Sequence, residues 1–417
     1  MPPTPPPPAT AGAAALPHAA PASHTGAAAL LLNVAHAIDH LMLLVFATAV
    51  GAIAADFGVA RWEDLMPYAA GAFALFGLAS LPAGRLGDHW GRRAMMLVFF
   101  FGIGASSLLV AATRSPWQLA AALTLLGAFA AIYHPVGIPM LVQGATRPGR
   151  VIGVNGLAGN LGIALAALST GFLVKYFGWR TAFVVPGLVS IGCGVVFARI
   201  APTETVPPSK RAPRQVDLPA AALARVFLVL TLTSTFGALV FNFTTNGNGE
   251  LLRERLASIT RDPATLGAML ALVYALASLA QVVVGRLIDR APLKRLFIAI
   301  VAMQVPLFAL AARADGWAFY ALALAFMVFV FGAIPFTDAL IVRYVDDRMR
   351  SRVAGMRFAI AFGISALAVW LLGPVVKANG FGFLLALLAG IALCSTLTIL
   401  ALPERSPGEA PAREPAA

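Results

Sequence analysis

The sequence predicts an all-α integral membrane protein of twelve transmembrane helices in two pseudo-symmetric six-helix bundles. Three observations predict it. Hydrophobic residues make up 59% of the chain and charged residues 12%, against roughly half and a quarter in a soluble globular protein, so the bilayer is the solvent this composition fits. Apolar runs close to the ~20 residues that a helix needs to cross the hydrocarbon recur near 28–55, 65–84, 94–113, 117–141, 151–175, 180–200, 220–246, 265–285, 295–312, 317–342, 353–376 and 381–402. A charged stretch, GRLGDHWGRR at 84–93, returns as GRLIDRAPLKR 201 residues later, with Asp88 and Asp289 each four places after the glycine. One charged turn repeated at one register between apolar runs reads as a duplication.

The runs set the organisation. Residues 1–26 are rich in Pro and Ala and carry no Lys or Arg, whereas a secretory leader needs a basic start and a compact apolar stretch, so they read as a disordered cytoplasmic tail. Residues 27–200 form the first bundle and 220–402 the second. Residues 201–219, rich in Pro, Lys and Arg, are the cytoplasmic linker, and 403–417 a second tail. Cys193 and Cys394 lie inside apolar runs and are also 201 apart, which suits matching helix positions better than a disulfide or a metal site.

A net charge of +12 would suit nucleic acid if it formed a stripe interleaved with aromatics. The cations fall instead in the short gaps between apolar runs, which argues against nucleic acid. With the N-terminus inside, the cytoplasmic gaps hold eighteen Lys and Arg and the opposite gaps nine, which places both termini in the cytoplasm of a bacterial inner-membrane protein. The chain reads as a monomer. No Gly-rich loop ending in Lys-Ser/Thr is present to bind ATP. Neither clustered carboxylates nor a nucleophile with a fixed base is visible, so the chain does not read as an enzyme. No cofactor is expected.

Polar groups at membrane depth are costly and therefore candidates for function. The first run carries His36, Asp39 and His40, spaced i, i+3, i+4 on one helical face. The fourth carries Tyr133, His134 and Pro135. The first run goes outward and the fourth inward, so both sets sit at similar depth and can share one cavity. Imidazoles titrate near pH 6.5, which makes Asp39 and its histidines the candidate proton-coupling group; the alternative is a permanent Asp-His pair joining two helices. An i, i+4 histidine pair alone is weak ground for a metal, and none is assigned. The second half supplies Asn242, Thr244, Thr245 and Asn246 near the outer end of the seventh run, then Gln281, Gln304 and Asp338. Pro335 follows Pro135 by 200 residues, so the fourth and tenth helices are expected to bend at corresponding places. Arg357 can pair with Asp338, reach the cytoplasmic interface, or dock an anionic substrate. Glycines at 153, 156, 159 and 162 allow close approach by another helix.

These residues resemble the major facilitator superfamily over nearly the whole chain. That family's signature between its second and third helices is matched by Gly84, Asp88, Gly91, Arg92 and Arg93, with His89 where a fixed cation is usual. In the second copy, at Gly285 and Asp289, Pro292 stands where the turn glycine would be. Gly84 suits close helix approach, Gly91 a left-handed turn, and Arg92 with Arg93 an anchor at the headgroups. The resemblance implies a cytoplasmic gate in which Asp88 meets the start of the eleventh helix and Arg352, and Asp289 meets the fifth helix and Arg150. Ala166 and Ala167 occupy the place of a Gly-Pro pair found in many family antiporters, and the fourth helix lacks a buried Arg; both count against a standard multidrug antiporter. His36, Asp39, His40 and the Tyr133-His134-Pro135 step also resemble the fosmidomycin-resistance branch, with Val136 where that branch can carry an acid. That likeness implies a small phosphonate-like substrate. The expected function is a secondary active transporter that moves a small polar solute, anionic ones included, across the inner membrane by alternating access. Proton coupling is expected, and export is the preferred direction. The alternatives are a nutrient or organic-anion importer of the same fold and a non-transporting receptor or assembly factor.

Overall fold

The computed structural model describes residues 26–142, 148–202, 220–288, 290–344 and 347–402. Most of both expected tails, most of the linker, and Asp289 lie outside the described residues, as do the side chains of Asp88, His89, Arg150, Asp338 and Arg352. Without water, each backbone N–H and C=O must be paired within its own segment, and the regular structure among the described residues is helical throughout. The helices are α1 (Gly26–Asp56), α2 (Ala70–Leu78), α3 (Ser80–Trp90), α4 (Arg92–Ala111), α5 (Pro116–Ala130), α6 (Ile138–Val142), α7 (Pro148–Phe177), α8 (Trp179–Ile200), α9 (Ala220–Arg255), α10 (Pro263–Ile288), α11 (Leu293–Ala302), α12 (Gln304–Ala311), α13 (Gly316–Tyr344) and α14 (Asp347–Leu400). Among the described residues, eleven segments are long and apolar enough to cross a membrane. The last of these, Arg357–Leu400, takes in two of the predicted runs, and Gly380 interrupts it at φ 77°, ψ 172°, a conformation that a side chain would strain.

Several boundaries move. The stretch at 84–93 is mostly helix, not turn: α3 continues through Trp90 and only Gly91, at φ 88°, breaks the chain before α4. Helices readily run past the hydrocarbon, because Arg85 and Trp90 can stay exposed at the interface while the backbone keeps its hydrogen bonds. The second copy turns differently, since Pro292 caps α11 with φ −58°. The seventh run ends late as well. Asn246 lies more than two turns inside α9, which holds its helix to Arg255, and not near its outer end. The fourth and tenth helices do not bend alike: Pro135 falls in a single π-helical turn over Tyr133–Gly137, whereas Pro335 sits within continuous α13. Pro306 accompanies a break at Met303 between α11 and α12.

Packing runs through α7, which lies against α1 on one side and α10 on the other; α4 pairs with α8, α9 with α14, and α2 with both α5 and α14. The expected glycine stripe explains part of this. A Cβ on Gly162 would come within 2.1 Å of the Ala37 carbonyl oxygen, and one on Gly159 within 2.6 Å of the His36 ring, whereas one on Gly153 would meet nothing within 4 Å. Gly156 faces Gln281, whose Oε1 would lie 3.5 Å from such a Cβ. The outer belt is apolar, with Trp117, Leu228, Val283 and Leu310 more than half exposed, as lipid contact requires.

The two ends of the helices differ. At the end that holds Asp56, Arg180 pairs with Asp56 at 2.9 Å, Lys175 of α7 with Asp262 at 2.7 Å, Arg255 with Asp315 at 3.0 Å, and Lys377 of α14 with Asp64. At the Trp90 end, Arg93 donates to the Ala198 and Ala201 carbonyl oxygens at 2.5 and 3.0 Å, which satisfies the open C-terminus of α8. Its guanidinium is thus engaged by protein, and Arg92 donates to the Pro139 carbonyl at 3.4 Å. Gly162→Val should strain the α1–α7 contact and destabilise the protein by about 1–3 kcal/mol, while Gly153→Ala should be neutral or slightly stabilising. Thermal unfolding in detergent checks the contrast; equal effects at both positions would contradict the packing.

Candidate functional site

The polar cluster is assembled where α1, the π-helical turn and α7 meet. Three neighbours position His36. Its Nδ1–H donates to the Asn155 carbonyl at 2.7 Å, its ring stacks on Tyr133 with centroids 4.7 Å apart, and the missing side chain of Gly159 leaves room for it. A carbonyl only accepts, so Nδ1 carries a proton and Nε2 faces His40 Nε2 at 3.1 Å. Tyr133 is fully buried; its hydroxyl donates to the Leu32 carbonyl at 2.9 Å and accepts from Asn155 Nδ2 at 2.6 Å. Asn155 Nδ2 also donates to Asn33 Oδ1 at 3.0 Å, which uses both of its protons.

Asp39 lies one turn from His36 and is wholly buried. Neither carboxylate oxygen has a hydrogen-bond partner, and the nearest imidazole, His134 Nε2, stands 3.5 Å from Oδ2. Both ring nitrogens of His134 are likewise buried without a partner. The π-helical turn adds one residue to the coil and so re-aims His134, whose ring centroid sits 5.0 Å from that of His36 and 5.7 Å from that of His40. Phe358 of α14 covers it at 5.4 Å, Phe76 of α2 at 5.8 Å. One ring nitrogen from each of the three histidines falls within 4.8 Å of the others.

The structure therefore brings together five of the expected cavity residues, His36, Asp39, His40, Tyr133 and His134. Asn242, Asn246 and Gln304 are engaged elsewhere, and the Asp338 side chain lies outside the described residues. Asn242 donates to Ser365 of α14 at 2.7 Å, Asn246 donates back to the Asn242 carbonyl at 3.0 Å, and Gln304 donates to the Phe329 carbonyl at 3.1 Å. Thr244 and Thr245 return their hydroxyl protons to carbonyls one turn earlier on α9. The Arg357 guanidinium lies over the Phe358 ring at 4.8 Å. A cavity of about 580 Å³ opens at the Asp56 end, lined by Arg61, Glu63, Glu250, Arg253 and Arg261, and Asp39 does not line it. Sequence reasoning passed over Asn155, the residue that joins α7 to both α1 and Tyr133. A buried amide beside the glycine stripe was the available signal. It also passed over Glu250, 6% exposed and paired with Arg253.

The sequence model of the Major Facilitator Superfamily matches residues 32–256, more than half of the chain. The chain belongs to that superfamily. Its fold agrees: a crystal structure of a bacterial homologue of the human lysosomal transporter Spinster superposes with a TM-score of 0.67 over 90% of this chain and 94% of that one, at 14% identity. Among curated superfamily relatives, MdtG of Salmonella paratyphi A, a multidrug resistance protein, is 26% identical over 78% of this chain and 81% of its own length. The puromycin resistance protein pur8 of Streptomyces alboniger is 34% identical, and the probable actinorhodin transporter of Streptomyces coelicolor 29%. The matches to those two span 24% and 34% of their lengths. The Streptomyces coelicolor relative and the human protein related to the superposed structure are named as transporters, and this superfamily member is a multi-pass membrane protein and not an enzyme.

Tyr133→Phe should leave a buried Asn155 N–H without an acceptor and lower stability by about 1–3 kcal/mol, read as a fall in the unfolding midpoint in detergent. An unchanged midpoint would dissolve the proposed network. At the Asp56 end, Lys175 and the Thr265 donors hold the Asp262 carboxyl down at about 2, from 3.8. A depressed carboxyl contributes stability above its unfolded value, lost only as pH falls through its folded one. The stability difference between the native chain and Asp262→Asn should thus stay flat from pH 8 to pH 5. A difference that vanishes between pH 7 and pH 5 would assign the effect to another group.

Proposed function

We propose that the protein is a secondary active transporter that exports a small polar solute across the bacterial inner membrane by alternating access, with protons as the coupling ion. The observation that carries the reading is the Asp39 carboxylate: fully buried, without a hydrogen bond, and 3.5 Å from His134, whose ring clusters with those of His36 and His40, in a superfamily chain. A carboxyl at membrane depth costs about 2.5–3.5 kcal/mol on insertion scales, and a residue retained there at that cost, next to imidazoles that can take up or give back a proton, is suited to bind a proton on one side and release it on the other.

In this reading the chain has twelve crossings in two six-helix halves, 27–200 and 220–402, with Gly380 turning the last two and both termini in the cytoplasm. The repeated Gly-Arg-Leu stretches support the halves, and the distribution of Lys and Arg supports the orientation. The Asp56 end is then periplasmic. Lys175 with Asp262 and Lys377 with Asp64 tie the two halves together there, and Gly171 approaches Gly267 so closely that an added Cβ would lie 3.0 Å from its Cα. These contacts support a state closed toward the periplasm, and the similar Spinster-homologue structures are described as inward-facing. Export is supported by the resistance and antibiotic-transport names of the relatives. The five clustered residues then hold the proton, Asn242, Asn246, Gln281, Asp338 and Arg357 serve the solute, and the Asp88 and Asp289 clusters close the cytoplasmic side.

Purified protein in sealed liposomes with an imposed pH gradient tests the coupling. Asp39→Asn should abolish gradient-driven movement of a transported solute and of protons while solute exchange persists. Gradient-driven transport at the native rate in that variant would remove Asp39 from the role.

A further inference from the structure

The three histidines and Asp39 form a donor set that proton transfer alone does not explain. Four atoms are unusual. Both Asp39 oxygens and both His134 nitrogens are buried without a hydrogen-bond partner. His36 Nε2 and His40 Nε2 point at each other at 3.1 Å, and His134 Nε2 stands 3.5 Å from Asp39 Oδ2. Two ligands of a tetrahedral cation with bonds of about 2.0–2.1 Å lie about 3.3 Å apart, so both measured edges have the spacing that a shared ion would impose. The histidine donor atoms all fall within 4.8 Å, so the longest edge among the three has to close by about 1.5 Å on loading, and Asp39 joins the set through its 3.5 Å approach to His134.

The outer contact of one of the three histidines matches as well. A metal-ligating histidine ordinarily donates its other ring N–H to a carbonyl or carboxylate, which fixes the tautomer and aims the lone pair. His36 makes that bond, from Nδ1 to the Asn155 carbonyl at 2.7 Å, leaving Nε2 for the ion. Stacking on Tyr133 and the space over Gly159 hold the ring in that pose. We infer that His36, His40, His134 and Asp39 form a site for one divalent late first-row cation, of the zinc and cobalt class. Three imidazoles and one carboxylate are a donor set these ions favour over magnesium or calcium. The cation neutralises a carboxylate that is otherwise uncompensated. Binding itself is independent of the transport reading; only its consequence, that the ion and a proton compete for one site, rests on that reading.

Tag-free full-length protein in detergent, stripped with a chelator, is titrated with Co²⁺ and followed by visible absorption, with Zn²⁺ as competitor. The expected result is a saturable tetrahedral Co²⁺ spectrum at one ion per chain, removed by Zn²⁺. His40→Gln and His134→Gln should each weaken binding by at least about tenfold, whereas His18→Asn with His24→Asn in the N-terminal segment should leave it unchanged. Only octahedral absorption in the native chain, or a tetrahedral signal that survives both cluster variants or is lost with the N-terminal ones, overturns the inference. The native spectrum keeps the test decisive should a variant fail to fold. Because the readout is equilibrium binding, a failure here leaves Asp39-dependent proton flux intact, and a failure of that flux leaves the spectrum intact.

Discussion

An ionisable group inside hydrocarbon is the constraint around which this molecule is built. Asp39 cannot be solvated by lipid, so the chain must surround it with protein on every side. The helix packed on this stretch of α1 is α7, and it reaches there only because Gly159 and Gly162 let its backbone approach His36 and Ala37 at a distance any side chain would forbid. Once α7 is there, Asn155 bridges to Asn33 and Tyr133, its carbonyl holds His36, and the π-helical turn brings His134 round to face the carboxylate. Phe76, Phe358 and Phe362 close over His134. Each contact depends on the one before it.

The remaining polar chemistry follows a different rule. At the Asp56 end, ion pairs such as Lys175 with Asp262 and Arg180 with Asp56 are partly exposed, and exposed pairs contribute little each. Their value is geometric: Lys175 and Asp262 join α7 to the start of α10, where Gly171 and Gly267 already let the helices touch. Contacts this shallow can be broken and remade, unlike the buried cluster. That contrast suits a protein in which one region must stay assembled while another opens. The departures that argued against a standard multidrug antiporter, Ala166 and Ala167, stand beside relatives named for drug resistance, so the likeness extends to the kind of protein more securely than to the solute.

Helical boundaries were misjudged wherever a helix outlasts its apolar run. Asn246 looked terminal because NGNGELLRER is polar, yet α9 continues through it, since side chains from other helices and water at the interface can meet those polar groups. Pro135 and Pro335 looked equivalent because they occupy matching places in the repeat, but only the first lies next to a tyrosine tied to a neighbouring helix. A proline removes one donor in both; what its neighbours do with the freed carbonyl decides the shape.

The amino-acid order by itself determined that the chain is helical, that it lies in a membrane, and that His36, Asp39 and His40 share a face. Those properties come from composition and from the 3.6-residue period, both of which are local. Only the tertiary structure decided that His134 turns toward Asp39 while Asn242 turns toward Ser365, and that Asn155, unremarked in the sequence, ties the site together. Such pairings join residues 95, 122 and 123 positions apart. Their partners are chosen by how closely backbones can approach, which no local pattern records.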